Sequence, residues 1–301
     1  SYAGYNLVNG AANILIGQSS GFNMRSGSNN VAIGDNAFAS SRGSAQNTII
    51  GSFAGYSVTT GTGAVGLGYK AGYANKTQGN WIAIGYEAMG GTPGTNEAAG
   101  VAIGYRAMYQ AMDGSSGVAL GNSALENIVG DYSTALGDEA GRYATGSYNT
   151  FVGNSAGKGG TSSAPYSSGQ YNVAVGYRAL TAFTTGESNI AVGQNSLGNV
   201  TTGYYNTAVG DHAGVGITTG YSNVAIGRAA LYNTTTGQNN TAVGKGAGTY
   251  VVGNDITHIG KEAGKNATGS YNTFVGSEAG KGGTTSAPYS SGEGNVALGY
   301  Q

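Results

Sequence analysis

His212 and His258 are the two side chains of this chain that could serve as general bases or imidazole metal ligands near neutral pH. They lie 46 residues apart, and no cysteine or carboxylate cluster joins them. Serines are plentiful, yet a serine nucleophile needs a base and an orienting acid beside it, and the sequence offers no such set. Neither catalysis nor a bound cofactor is expected. Gly153-Asn154-Ser155-Ala156-Gly157-Lys158-Gly159 has the letters of a phosphate-binding loop without its spacing, since four residues must separate the glycines and Ser or Thr must follow the lysine. Aspartates never fall in the Gly-Gly-x-Gly-x-Asp spacing of calcium-binding β-rolls, so no structural calcium is expected. Asn-x-Ser/Thr sequons occur at Asn75, Asn199, Asn233, Asn239 and Asn266, as many as chance supplies in a chain this rich in Asn and Thr.

The tyrosines are the remaining candidate for chemistry. Tyr69, Tyr86, Tyr105, Tyr177 and Tyr300 each follow a glycine at the same point of a repeating pattern, and Tyr166 and Tyr289 lie in two longer loops. Exposed rings offer flat apolar faces on which sugars stack, at low entropic cost. The competing reading has these rings stacking on one another, or on Lys70, Arg106 and Arg178, and stiffening the chain.

The pattern that carries them is a repeat. Glycines preceded by an aliphatic residue stand at 17, 34, 51, 68, 85, 104, 121, 137, 153, 176, 193, 210, 227, 244, 260, 276 and 299, giving seventeen anchors mostly 17 residues apart. Self-similarity at so short a period marks a solenoid, in which each unit buries its face only against its neighbours. Position −1 is always Ile, Leu or Val, and position −3 is Val, Ile or Thr. Both point to one side of a strand, which we assign to the interior. Position −2 points the other way and is mostly Ala. A strand apolar on both faces is expected to be covered on both. The −2 residues, including Ala32, Ala83, Ala102, Phe151, Ala208, Ala225, His258 and Phe274, are therefore candidates for a seam between chains, where small side chains let backbones approach. Position −4 is Asn in eleven coils, among them Asn13, Asn30, Asn149, Asn206, Asn240 and Asn295, and predicts a corner at which stacked amides form a ladder. After the anchor come two variable, charge-rich positions, then Ala, then a second extended arm that repeatedly closes on Thr-Thr-Gly.

Composition agrees. With 58 glycines, 3 prolines and 9% charged residues the chain is neither collagen nor a disordered polyelectrolyte. Thirteen basic against 14 acidic residues provide no electrostatic drive toward nucleic acid. Zero cysteines exclude disulfides, and no apolar run is long enough for a membrane helix. The prediction is an all-β parallel solenoid of seventeen coils, one repeat domain over residues 1–301 with extra loops at 158–169 and 281–292. It is read as a portion of a longer protein. Residues 145–153 recur at 268–276, so a seven-coil cassette has been duplicated.

The motif Asn-(Val/Thr)-Ala-(Ile/Val)-Gly, as in Asn30-Val31-Ala32-Ile33-Gly34 and Asn223-Val224-Ala225-Ile226-Gly227, resembles the repeats of phage tail fibres and of trimeric autotransporter adhesin heads. The resemblance spans almost the whole chain. It implies a left-handed β-roll, three chains side by side, outside the cell or on a virion, supporting attachment to a host surface or its glycans. The coil is longer than in the adhesin heads, which favours the phage-fibre member of the pair. A self-assembling extracellular filament is the alternative function. An ice-binding solenoid ranks below both, because the Thr-Thr pairs are interrupted in many coils.

Overall fold

The structure is a computed structural model that describes residues 2–77, 79–91, 99–111, 116–160, 162, 166–283 and 291–300. The chain divides into two compact units, residues 1–148 and 149–301. Among the described residues there is no helix, and every coil contributes one short strand. The first unit holds β1 (Ile14–Ile16), β2 (Val31–Ile33), β3 (Thr48–Ile50), β4 (Val65–Leu67), β5 (Ile82–Ile84), β6 (Ala99–Ile103), β7 (Ser116–Leu120) and β8 (Ser133–Leu136). The second holds β9 (Thr150–Val152), β10 (Val173–Val175), β11 (Ile190–Val192), β12 (Thr207–Val209), β13 (Val224–Ile226), β14 (Thr241–Val243), β15 (Thr257–Ile259), β16 (Thr273–Val275) and β17 (Val296–Leu298). All are parallel, and equivalent repeat positions pair: Leu15 with Ala32, Ala208 with Ala225, His258 with Phe274. The chain is a β-solenoid with a repeat near 17 residues, as the anchors predict.

The anchor glycine has two independent reasons to be glycine. Gly34 has φ 138°, and a Cβ there would lie 2.5 Å from the carbonyl oxygen of Gly51 in the next coil. A side chain at this position would push adjacent coils apart.

Beyond the anchor the structure departs from expectation. The second arm is no extended strand. It is a run of overlapping turns: in the first coil Ser20, Phe22 and Met24 donate their N–H groups to Gly17, Ser19 and Gly21. Ser19 (φ 55°) and Gly21 (φ 59°) give the first two turns the sign pattern of type II. The remaining amides reach the neighbouring coil, as Gly21 N–H to Ala37 O at 2.9 Å and Asn23 N–H to Ala39 O at 2.9 Å. The arm lacks the period-two β-branched residues that hold a strand extended, so the chain satisfies its backbone by turning instead.

The two faces of the strand are also the reverse of the sequence assignment. Position −2 is the interior: Ala32, Ala83, Ala102, Phe151, Ala208, Ala225 and His258 are fully buried within the single chain, and Phe274 is 5% exposed. These residues are therefore no seam between chains. Positions −1 and −3 face outward, with Ile190 at 42%, Ile226 at 40% and Leu120 at 42% exposure. The reason is volume. The second arm closes tightly over the strand, leaving room for one column of small side chains.

That column is matched, in most coils, to position +4. Where −2 is large, +4 is glycine: Leu15 with Gly21, Ile49 with Gly55, Phe151 with Gly157, His258 with Gly264, Phe274 with Gly280. A Cβ on Gly157 would fall 2.1 Å from the Phe151 ring. Where −2 is Ala, +4 is usually a large buried residue, as in Ala32 with Phe38, Ala83 with Met89 and Ala174 with Leu180. Gly66 and Gly72 leave both positions empty in one coil, and Trp81 from the next coil fills the space, its ring edge 2.2 Å from where a Gly72 Cβ would stand. Where both positions are small, as Ala208 with Gly214 and Ala242 with Gly248, Leu197 and Leu231 of the preceding coil reach into the space, as close packing demands.

Candidate functional site

The corner amides form the ladder the sequence predicts. Asn30 Nδ2 donates to Asn13 Oδ1 (3.0 Å), Asn47 Nδ2 to Asn30 Oδ1 (3.0 Å), and each amide also donates to a carbonyl of the next turn, as Asn30 does to Ser44 O (2.9 Å). In the second unit the run passes from Asn149 through Asn172, Asn189, Asn206 and Asn223 to Asn240. It breaks at Ile256 and resumes where Asn295 Nδ2 meets Asn272 Oδ1 at 3.1 Å. Most of these side chains are buried, and the ladder holds the coil rather than a ligand.

Of the tyrosines, the structure brings together Tyr69, Tyr86 and Tyr105. Their rings stack with centroids 5.1 and 5.5 Å apart, and Lys70 Nζ lies 5.3 Å from the Tyr69 centroid. Each keeps between 38 and 50% exposure. Their flat faces are largely spent on one another, which favours the stiffening reading, while their edges stay open. Arg106 stacks on Tyr109 at 4.0 Å. Tyr177 and Tyr300 stand exposed, Tyr166 is half-buried, and Tyr289 lies outside the described residues. Further columns escaped the sequence reading: Tyr56 on Tyr73, Tyr132 on Tyr148, and Tyr204 on Tyr221 with planes 2° apart. The signal was present, since each pair occupies one repeat position in consecutive coils.

Charges accumulate in two ladders. Glu126, 5% exposed, takes Arg106 (3.1 Å) and Arg142 (2.7 Å), and Arg142 also holds Glu139. Lys281 bridges Glu262 (2.7 Å) and Glu278 (3.0 Å), and its hydrogen bonds hold both carboxyls below their usual range. Among the described residues no group of three His, Asp or Glu is placed to hold a metal ion. His212 pairs with Asp211 and lines an open groove with Arg228 and Tyr232. His258 stacks on Phe274 at 4.9 Å, neither ring nitrogen has a partner, and burial pulls its pKa down to about 4. Gly157, which gave the segment at 153–159 its loop-like letters, is glycine to admit Phe151.

The outward strand positions make a continuous feature of each unit. In each unit the −1 and −3 side chains line up as two columns of Ile, Leu, Val and Thr, with no charged residue among them. The chain matches no protein-family model, no curated protein and no solved structure.

Proposed function

We propose that the chain is a structural segment of a fibre, of the kind borne by a virion tail or a cell surface, that supports attachment to a host or other surface. Copies of the chain pack side by side through their outward strand faces. The observation that carries this reading is that uncharged aliphatic face. At roughly 50 Å² for each outward side chain, the eight coils of the first unit alone present on the order of 800 Å², about what one partner contributes to a stable interface. Patches of that size on soluble proteins mark contact surfaces, and the loss of charge at their centre is what interface cores share. A second copy is the occupant that fits best, because its rows recur at the same spacing of about 4.8 Å and two such faces interdigitate along their length. The motif resemblance supports three chains and an extracellular setting.

Sedimentation of the chain tests the proposal. Ile190→Lys with Ile226→Lys places two charges on the outward columns of the second unit without touching its core. A discrete oligomer, three copies by the motif resemblance, that falls to monomer in this variant with its circular dichroism spectrum unchanged is the expected result, the melting temperature dropping with the lost self-association. A wild-type monomer at 100 μM, taken as on the order of the highest useful concentration for a μM contact, would sink the idea. Indefinite growth would favour the filament alternative.

A further inference from the structure

Arg25 and Arg42 occupy the same repeat position in consecutive coils, joined through the backbone by Arg25 N–H to Arg42 O at 3.1 Å. The column continues through Thr59 to Lys76 by the same bond, Arg42 N–H to Thr59 O (2.9 Å) and Thr59 N–H to Lys76 O (2.7 Å). Three exposed cations therefore stand in four successive coils. Among the described residues neither arginine has a carboxylate partner. Elsewhere the chain neutralises cations that pile up: Glu126 separates Arg106 from Arg142, and Glu262 and Glu278 serve Lys261, Lys265 and Lys281.

The fold does not require arginine here. In the second unit the equivalent column is Thr184, Thr201, Thr218 and Thr235, linked by the same backbone bonds at 2.9 Å. Arg25 and Arg42 line an open groove of about 280 Å³ with Asn6 and Asn23, and so its walls present guanidinium and amide donors. A guanidinium pair recognises a carboxylate or sulfate, and side-chain amides hydrogen-bond the hydroxyls of a sugar.

We propose that this groove binds a linear acidic polysaccharide running along the coil axis, its carboxylates or sulfates on Arg25 and Arg42 and its hydroxyls on the amides of Asn6 and Asn23. A single-stranded nucleic acid fits less well, since it takes aromatic platforms beside its cations and none of the groove's four lining residues is aromatic.

Calorimetric titration of the 301-residue chain with polygalacturonate is the test, beside neutral dextran, sodium sulfate and a single-stranded DNA of similar length. The variant Arg25→Thr with Arg42→Thr installs the residue the second unit uses at this position and is expected to keep the wild-type circular dichroism melt. Polygalacturonate should bind with a salt-dependent affinity that falls at least about tenfold in the variant, its salt slope dropping by about two. Arg178→Gln, an exposed arginine in the other unit, should leave it unchanged. No binding of polygalacturonate, equal binding by the double variant, or tighter binding of DNA would each overturn the proposal. Sodium sulfate bound as tightly as the polymer would assign the groove to a free anion and overturn it as well.

Discussion

Phe151→Ala and Gly157→Leu, made singly and together, test whether the core is governed by the exchange of volume between positions −2 and +4. Phe151 is fully buried and packs on Phe183 at 5.9 Å, so its truncation should cost about 3–5 kcal/mol. Gly157→Leu alone sets a Cβ 2.1 Å from the same ring at φ 55°, and overpacking with left-handed strain should cost about 2–4 kcal/mol. The double variant has the Ala and Leu found in the next coil at Ala174 and Leu180, where Leu180 already has φ 50°. It should lie within about 2 kcal/mol of wild type, a coupling of at least about 3 kcal/mol. Because stacked repeats can open locally, thermal melts should be read together with hydrogen exchange of the Gly157 amide, which bonds Ala179 O at 2.8 Å. Simple addition of the two single losses would refute the reasoning.

Acid should loosen the second unit. The His258 pKa lies near 4 in the fold against 6.5 when free, so the unfolded chain binds the proton first. Stability is full above pH 6.5 and falls as the pH drops toward 4, by about 3 kcal/mol at 1.4 kcal/mol per pH unit. His258→Phe, matching Phe151 and Phe274 over their glycines, should abolish that component of the pH–stability profile; an unchanged acid slope would rule it out. Asn206→Ala removes the donor to Gly220 O (2.8 Å) and the acceptor for the Asn223 N–H (3.1 Å). The loss should be about 2–4 kcal/mol, with faster exchange at the Asn223 amide, and an unperturbed exchange rate would count against the ladder's role.

Much of this molecule is legible in its sequence, for physical reasons. A parallel stack places equivalent residues beside one another, so anything that must recur in space recurs in the sequence: the anchor glycines, the strands and the Asn ladder were all found in register. The direction of the strand was not legible from alternation, because both faces are apolar and hydrophobicity does not distinguish Ile33 from Ala32. Size does. Ala at −2 trades with Phe, Met or Leu at +4, and that compensation marks the inside. The turns of the second arm are not legible because many of its left-handed positions hold residues such as Phe38, Met89 and Leu125, whose types carry no turn signal strong enough to reveal three overlapping turns.

The intrusion of Trp81 into the space of Gly66 and Gly72 bears on how such a gene changes length. Recombination between repeats that keeps a large −2 residue with its own glycine transfers a finished packing unit, and the new junction inherits no hole. A crossover that parts Trp81 from the preceding coil leaves an indole-sized void on one product and a displaced ring on the other. Copy number in this stretch is therefore locked in pairs, while coils such as those of Ala102 with Met108 or Ala174 with Leu180 are free to be gained or lost one at a time.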